Sequence, residues 1–291
     1  MTSTEPCTKL TRRNPMTNLD GRTVASFGDE WSRYDQAQMS QEETARTFQD
    51  YFAVFPWSEL ATNAEGFDMG CGSGRWAKLA APRVGLLNCI DPSKALDVAR
   101  TTLAGQPNVR FYEASVDSAP LSASSQDFGY SLGVLHHVPD TAAAVRSCAR
   151  LLKPGAPLLL YLYYAFDGRP LWFRLIWRAS DLVRRVICNL PHALRSAVTD
   201  GIAVFVYWPL ARLAGLVSRC GGHVSNVPLS YYKDHSLFMM RTDARDRFGT
   251  PLEQRFTRVQ IETMMQDAGL TDIRFSDAAP FWCAVGRKSA T

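Results

Sequence analysis

"FDMGCGSGRWA", residues 67–77, places glycines at 70, 72 and 74 directly behind Asp68, where a short apolar run ends. Glycine has no Cβ, so it tolerates positive φ and lets backbone approach a ligand closely. Between a parallel strand and the next helix, such a loop lies at the carboxyl edge of the sheet, where open α/β folds bind ligands. The same residues could form a tight turn with no chemistry, and a lone GxGxG does not decide between the two. Its neighbours must.

Outward from this loop the chain alternates. Apolar runs at 86–90 (LLNCI), 109–112 (VRFY), 128–135 (FGYSLGVL) and 157–164 (PLLLYLYY) are separated by helix-like stretches at 75–81, 93–104 and 140–152. The last of these stops at KPGA. This alternation predicts βαβ units and a parallel sheet. Farther on, TRVQIETMMQDAGL (257–270) reads as a helix with Thr257 as N-cap and Gly269 as C-cap. Two strand-like runs, 272–277 and 280–287, follow so closely that they predict an antiparallel hairpin.

The remaining segments set the domain plan. Residues 1–26 are polar, with no apolar signal-like run, and read as a flexible tail. Residues 27–60 are aromatic-rich, and Phe48, Tyr51, Phe52 and Phe55 have helical spacing. They read as an N-terminal helical lid, ahead of a core at 61–164. Residues 165–256 lose the alternation and read as an inserted helical cap, and 257–291 complete the core. A membrane span is not predicted, because the apolar run at 201–211 is short and Pro209 and Arg212 interrupt it. The 291-residue chain is 46% hydrophobic and carries a net charge of +4, which suits a globular protein better than a dedicated nucleic-acid binder. Its seven cysteines are scattered with no CxxC pair, so neither a disulfide framework nor a metal site is predicted. Reduced thiols and a cytoplasmic location are the expectation.

The chemistry begins with Asp68. A carboxylate ahead of the glycine loop would repel phosphate but suits a cationic group such as an amino acid's ammonium. Asp91 ends the next apolar run about twenty residues on, where an acid can accept from ribose hydroxyls. The order DMGCGSG, CIDPS, SLGVLHHV, LLKPGA resembles the class I S-adenosylmethionine-dependent methyltransferases, in the group similar to ubiquinone and menaquinone biosynthesis enzymes. The resemblance covers roughly 66–164 and 257–287. It implies a Rossmann-like, seven-stranded, mostly parallel α/β sheet with a C-terminal antiparallel hairpin, carrying the helical insertion as a cap. It implies S-adenosylmethionine as cofactor, with S-adenosylhomocysteine as product. Asp68 would hold the methionine ammonium through backbone or water. Gly70, Cys71, Gly72 and Gly74 would form the loop, Asp91 and Pro92 would meet the ribose, and Leu132 and Gly133 would lie under the sulfonium. Relatives often carry an aspartate that contacts the adenine amino group. Here Ser115 stands at that place, followed by Val116.

Several further residues have two readings. Trp31 and Tyr34 could cover the cofactor or pack an ordinary amphipathic helix. His136 and His137 follow the fourth strand, where a base could deprotonate an acceptor or a side chain could merely cap the turn. Adjacent residues on an extended segment point opposite ways, so both rarely serve one site. Tyr232 and His235 lie in a dense polar and aromatic set at 230–250 and could supply a base or a surface cluster. Residues 169–219 hold eight arginines and two acids, which fits a solvated face or an anionic partner, lipid included.

The expected function is methyl transfer to oxygen or nitrogen of an apolar, aromatic or glycosyl small molecule, with carbon methylation open. A homodimer and peripheral membrane contact are open as well. The alternatives are a nucleic-acid methyltransferase, a cofactor-binding protein without catalysis, and non-methyl chemistry on the same cofactor. Nucleic acid is not the expected partner. No proline-rich tetrad follows the fourth strand, and the one Pro–Cys pair, Pro6–Cys7, sits in the tail.

Overall fold

The computed structural model describes residues 18–33 and 40–290, with side chains at 18–28 and 40–290. Seven strands form one sheet in the order β3-β2-β1-β4-β5-β7-β6. They are β1 (Glu65–Met69), β2 (Leu86–Ile90), β3 (Val109–Tyr112), β4 (Phe128–Leu132), β5 (Pro157–Tyr161), β6 (Leu270–Phe275) and β7 (Cys283–Lys288). The first five pair in parallel, and β7 is antiparallel to both β5 and β6. The predicted sheet and hairpin are therefore present. Strand order reverses between β1 and β4, and that reversal opens a crevice at their carboxyl ends.

The strands are apolar on both faces because helices cover both. Leu158, Leu160 and Leu162 of β5 and its extension enter one buried cluster with Phe67, Met69 and Ile261. Leu159, one residue out of phase, enters the other with Phe48, Phe52, Phe128 and Tyr130. Between the strands run α3 (Ala77–Ala80), α4 (Ala95–Thr102) and α5 (Thr141–Leu151), and α10 (Arg258–Asp267) precedes the hairpin. Thr257 caps α10 through a reciprocal bond with Gln260, as its spacing predicts.

The N-terminal region departs from expectation. Residues 21–26, expected in a flexible tail, form the first turns of α1 (Gly21–Arg33). Asp20 accepts from the Thr23 N–H at 2.8 Å, a cap hidden in a polar stretch. Gly28 lies close to the Ser93–Lys94 turn before α4, while the Arg22 guanidinium donates to Asn189 at 2.6 Å. α1 thus joins the core to the inserted helices. α2 (Gln41–Tyr51) turns Phe48 and Phe52 onto the sheet, where they pack with Phe55 and Trp57.

The insertion comprises α6 (Leu171–Ile187), α7 (His192–Ile202), α8 (Trp208–Arg219) and α9 (Leu237–Gly249). It has its own small core of Ile187, Ala203, Tyr207, Ala211, Met240, Ala244 and Phe248. A π-helical turn at Ala203–Tyr207 joins α7 to α8 without a break. It falls just before Pro209, which has no N–H to give to the ladder. The run judged too short to span a membrane is thus part of a 28-residue helix, His192–Arg219, long and apolar enough to do so by length and composition.

Candidate functional site

A cavity of about 1010 Å³ runs from the loop after β1 into the inserted helices. Gly70, Cys71, Gly72, Asp91, Pro92, Ser115, Val116, Leu132, Gly133, His137 and Tyr232 all line it, so those predicted residues do come together. Gly70 sits at φ +79°, and a Cβ there would lie 2.4 Å from the Val134 side chain. Its N–H and that of Cys71 both donate to the Ile90 carbonyl, which ties the loop to β2. Gly74 lies outside the cavity lining. Its φ is also +79°, and a Cβ would meet Ala99 and Leu103, so this glycine lets the loop pack against α4.

Asp91 holds the loop as well as facing the cavity. Its Oδ2 accepts from Gly72 N–H at 2.9 Å, and its Oδ1 accepts from the Ser93 N–H and hydroxyl at 2.8 and 2.6 Å. A carboxylate offers about four acceptor positions, so a ligand hydroxyl finds one open on Oδ2. Both hydroxyls of a ribose are accommodated only if Ser93 turns away. Burial raises the Asp91 pKa, and the Ser93 and Gly72 bonds oppose that rise. Ser93, unmarked by the motif, belongs to the site.

Asp68 is buried behind the lining, where its carboxyl faces the equally buried Tyr130 hydroxyl. Burial pushes its carboxyl up to about 8. A cationic ligand group above the loop would favour the charged form of this buried carboxyl. Arg75 follows the loop and lines the cavity, and burial lowers its pKa. Among the described residues, no group of three or more His, Cys, Asp or Glu comes together to hold a metal.

The adenine-side residue Ser115 donates its hydroxyl to Asp117 at 2.5 Å, and Asp117 also accepts from Asn18 N–H at 3.0 Å. Asn18 in turn exchanges bonds with Asp140. The cover over the cavity includes Asn18, Thr23 and Val24, from the stretch expected to be tail, and Phe27, the first residue of the expected lid. The Trp31 side chain and all of Tyr34 lie outside the described residues.

The four predicted acid–base residues separate cleanly. His136 and His137 occupy a 3-10 turn, Leu135–His137, and not an extended strand. Their rings stand 4.1 Å apart, so the opposite-facing argument fails. His136 is fully buried outside the lining, stacked on Tyr163, with neither ring nitrogen partnered. Burial drives its pKa well down, which leaves a neutral packing residue. His137 faces the cavity. Its Nδ1 lies 2.6 Å from the Leu252 carbonyl, an acceptor, so Nδ1 carries the proton. Its Nε2 stands 3.6 Å from Asp246 Oδ1. Tyr163 donates to the other oxygen of Asp246, and all three side chains line the cavity.

His235 lies outside the cavity. Its Nδ1 is 3.2 Å from Glu43 Oε1, which also accepts from Ser236 N–H. It latches α2 to the start of α9. Tyr232 lines the cavity and donates to Asp243 at 2.8 Å. Burial raises the Asp243 carboxyl to about 6, against the Tyr232 bond.

The far chamber is aromatic. Tyr163, Tyr164, Phe166, Phe173 and Trp177 line it with Arg247 and Arg255. The Arg255 guanidinium stands 4.9, 5.0 and 5.3 Å from the rings of Tyr163, Phe166 and Trp177. Glu253, buried between the two arginines, accepts from both, and they hold its pKa down against burial. This arrangement has no local motif. Its parts come from the segment after β5, from α6, from α9 and from the segment after α9.

Comparison with known proteins gives the same core. A family model described as a methyltransferase domain matches residues 67–160. A ubiquinone biosynthesis O-methyltransferase of Nitrosomonas europaea is 32% identical over 51% of this chain and 70% of its own length. One of the same name from Alkalilimnicola ehrlichii is 34% identical over 54% and 63%. One from Paracidovorax citrulli is 40% identical, but over only 30% of this chain and 39% of its own length. A chain of the complex between the Haloferax volcanii Trm112 methyltransferase activator and its methyltransferase aligns over 92% of this chain and 98% of its own, at 15% identity and TM-score 0.54. That last likeness is one of fold.

Proposed function

This chain belongs to the class I S-adenosylmethionine-dependent methyltransferases, in the group related to the ubiquinone-biosynthesis O-methyltransferases, and from that premise we propose that it methylates a hydroxyl oxygen of an apolar, aromatic small molecule. The observation that carries the reading is one continuous cavity. The glycine loop and Asp91 stand at one end, the ring-lined chamber at the other, and His137 lies on its wall. Relatives named O-methyltransferases support oxygen over nitrogen or carbon.

The cofactor is S-adenosylmethionine, which supplies an electrophilic methyl group and a neutral thioether leaving group. In the proposed site the chain's own residues do the rest. Asp68, through the loop, answers the ligand's ammonium, and Arg75 faces its carboxylate. Asp91 takes a ribose hydroxyl, and Ser115 and Val116 border the base. The aromatic chamber holds the acceptor ring and excludes water, so that oxygen and methyl carbon are held in line.

A hydroxyl acceptor must lose its proton as the O–CH₃ bond forms and the S–CH₃ bond breaks. In this reading His137, on the cavity wall, takes it at Nε2, which is held back beside Asp246 until the acceptor enters. With Nδ1–H fixed on the Leu252 carbonyl, Nε2 carries the lone pair. Once protonated, it gains Asp246 at 3.6 Å as a counter-charge. Turnover with labelled cofactor against apolar phenols, the matching anilines and bulk tRNA tests the reading. Label in the phenol alone is the expected result, and label in tRNA alone would overturn it.

A further inference from the structure

The segment 250–257, between α9 and α10, serves the cavity twice with one backbone. Phe256 donates its N–H to the Tyr163 carbonyl at 2.8 Å, and its carbonyl accepts from Ala165 N–H at 3.0 Å, so the segment pairs with the extension of β5. Gln254 N–H donates to the His136 carbonyl at 3.0 Å, and the Leu252 carbonyl accepts from His137 Nδ1. The stretch that fixes His137 therefore also carries Glu253 and Arg255. His137 and Arg255 flank one tyrosine. The ring centre of Tyr163 lies 5.5 Å from that of His137 and 4.9 Å from the Arg255 guanidinium.

Arg255 is held in place with donors to spare. Its Nε donates to Glu253 at 2.8 Å and its Nη1 to the Tyr164 carbonyl at 3.1 Å, while Nη2 has no hydrogen-bond partner among the described residues. Arg247 turns Nη1 to both oxygens of Glu253. Glu253, whose side chain is 1% exposed, is thus one acid for two arginines. Asp181 stands 3.8 Å from Arg247 but already accepts from Arg184 and Arg185. Asp243 and Asp246, also on the cavity wall, bond to Tyr232 and Tyr163 and to neither Arg247 nor Arg255. Three largely buried guanidinium groups, on Arg184, Arg247 and Arg255, therefore share two acids beside the aromatic chamber. A buried charge is costly unless it is paired.

We propose that Arg255 binds a carboxylate on the acceptor, which makes the substrate an aromatic hydroxy acid. The acid group meets the guanidinium at Nη2, the ring lies along Tyr163, and the hydroxyl reaches His137. The role given to the hydroxyl rests on the proposed transferase activity, but the anion site does not. A guanidinium presents planar donors that match a carboxylate. One excess positive charge suits a monoanion, whereas a phosphate dianion would carry a second, unmatched charge into an apolar chamber. Because one backbone stretch holds both Leu252 and Arg255, the distance from base to anion site is fixed. The place of the hydroxyl on the ring, relative to the acid group, is then what the chamber selects.

Equilibrium titration of the full chain, alone and with saturating S-adenosylhomocysteine, tests the anion site. The probes are the ortho, meta and para hydroxyphenylacetates, each against its neutral amide. At least one acid is expected to bind about tenfold or more tightly than its amide. Arg255→Gln should abolish that preference and leave binding of the amide and of S-adenosylhomocysteine unchanged. Glu253→Gln releases both arginines from their acid and should widen the preference, whereas a triad that only braced the chamber would lower acid and amide binding alike. If Arg255→Gln fails to fold, Arg255→Gln/Glu253→Gln removes the charges as a pair and must lose the preference too. Wild type that binds no acid more tightly than its amide would overturn the proposal, as would a preference that survives in the Arg255 variants. Tighter binding of hydroxybenzyl phosphate than of the acids would overturn the carboxylate assignment. An acid preference without S-adenosylhomocysteine binding would keep the anion site and sink the transferase reading. S-adenosylhomocysteine binding without an acid preference would do the reverse.

Discussion

The cavity joins two regions that were built under different rules. The loop end is local: Gly70, Cys71, Gly72, Asp91 and Ser93 lie within 24 residues, held by the Asp91 carboxylate and by backbone bonds to the Ile90 carbonyl. The chamber end is assembled from afar, with His137, Tyr163, Trp177, Asp246 and Arg255 drawn from β4's turn, the segment after β5, α6, α9 and the segment after α9. A motif can encode the first because strand, turn and helix fix its geometry. The second depends on how the inserted helices pack, and no spacing announces that. Under the proposed function, the loop end binds what the family shares, and the chamber end chooses what is particular to this chain.

The largest expected effect falls at the junction. His137→Gln removes the Nε2 lone pair beside Asp246 and should lower kcat about a hundredfold or more. Affinity for S-adenosylmethionine, read by calorimetry, should hold. Loss of both would put His137 in the cofactor half and erase the division drawn above. Rate loss that is fully recovered at high pH would show that the acceptor ionises unaided.

Asp91→Ala is the matching test of the loop end. It removes a ribose acceptor and also frees the N–H groups of Gly72 and Ser93, so cofactor affinity should fall tenfold or more, about 1.4 kcal/mol. Ser93→Ala leaves the carboxylate in place and should fall short of that loss. Equal losses would mean that Asp91 mainly shapes the loop, and that its bond to the ligand adds little.

How far the sequence reached follows the same division. Gly70, Gly72 and Asp91 reach the cavity, and each is a residue type demanded by a backbone position or a charge, whereas Asp68 lies behind the lining and Gly74 packs against α4. Thr257 and the closing hairpin were legible for the same reason. The cover was not. Asn18, Asp20 and Thr23 are polar residues of the kind that fill tails, and only Asp20's bond to Thr23 and the bonds of Asn18 to Asp117 and Asp140 show them ordered. Of the histidine pair only His137 lines the cavity, though not because the two point opposite ways. His136 and His137 were treated as strand neighbours, and the 3-10 turn places both rings side by side, one in packing and one on the cavity wall. His235 was grouped with Tyr232 by proximity in sequence. The turn before α9 sends His235 to Glu43 on α2 and Tyr232 to Asp243 in the chamber.

Asp243 sharpens the comparison by pH. Its folded pKa, about 6, is above the ordinary carboxyl value because burial penalises the charge. A raised carboxyl binds its proton more tightly folded than unfolded. Its contribution to stability is therefore greatest at acid pH and is lost as pH rises through about 6. Asp243→Asn, which keeps the Tyr232 bond without the charge, should raise the melting temperature at pH 8 and change it little at pH 4. A drop at pH 8 would mean that Asp243 is compensated by a cation, with Arg75 across the cavity the nearest candidate by charge.

The smallest effect is expected at the latch between the two regions. Glu43 accepts from Ser236 N–H at 2.9 Å and meets His235 at 3.2 Å, which fixes α2 against the start of α9. Hydrogen bonds to a carboxylate contribute about 1.5–3 kcal/mol net. Glu43→Gln keeps a neutral acceptor in place, so stability should fall by less than that, and cofactor affinity should not change. The informative readout is amide exchange in α9. If the cap is held to the core mainly by this latch, exchange there should quicken while the strands β1 to β5 stay protected. If α1 carries the connection, through Arg22 to Asn189 and Thr23 to Leu252, exchange in α9 should stay as it is, and Arg22→Ala should quicken it instead.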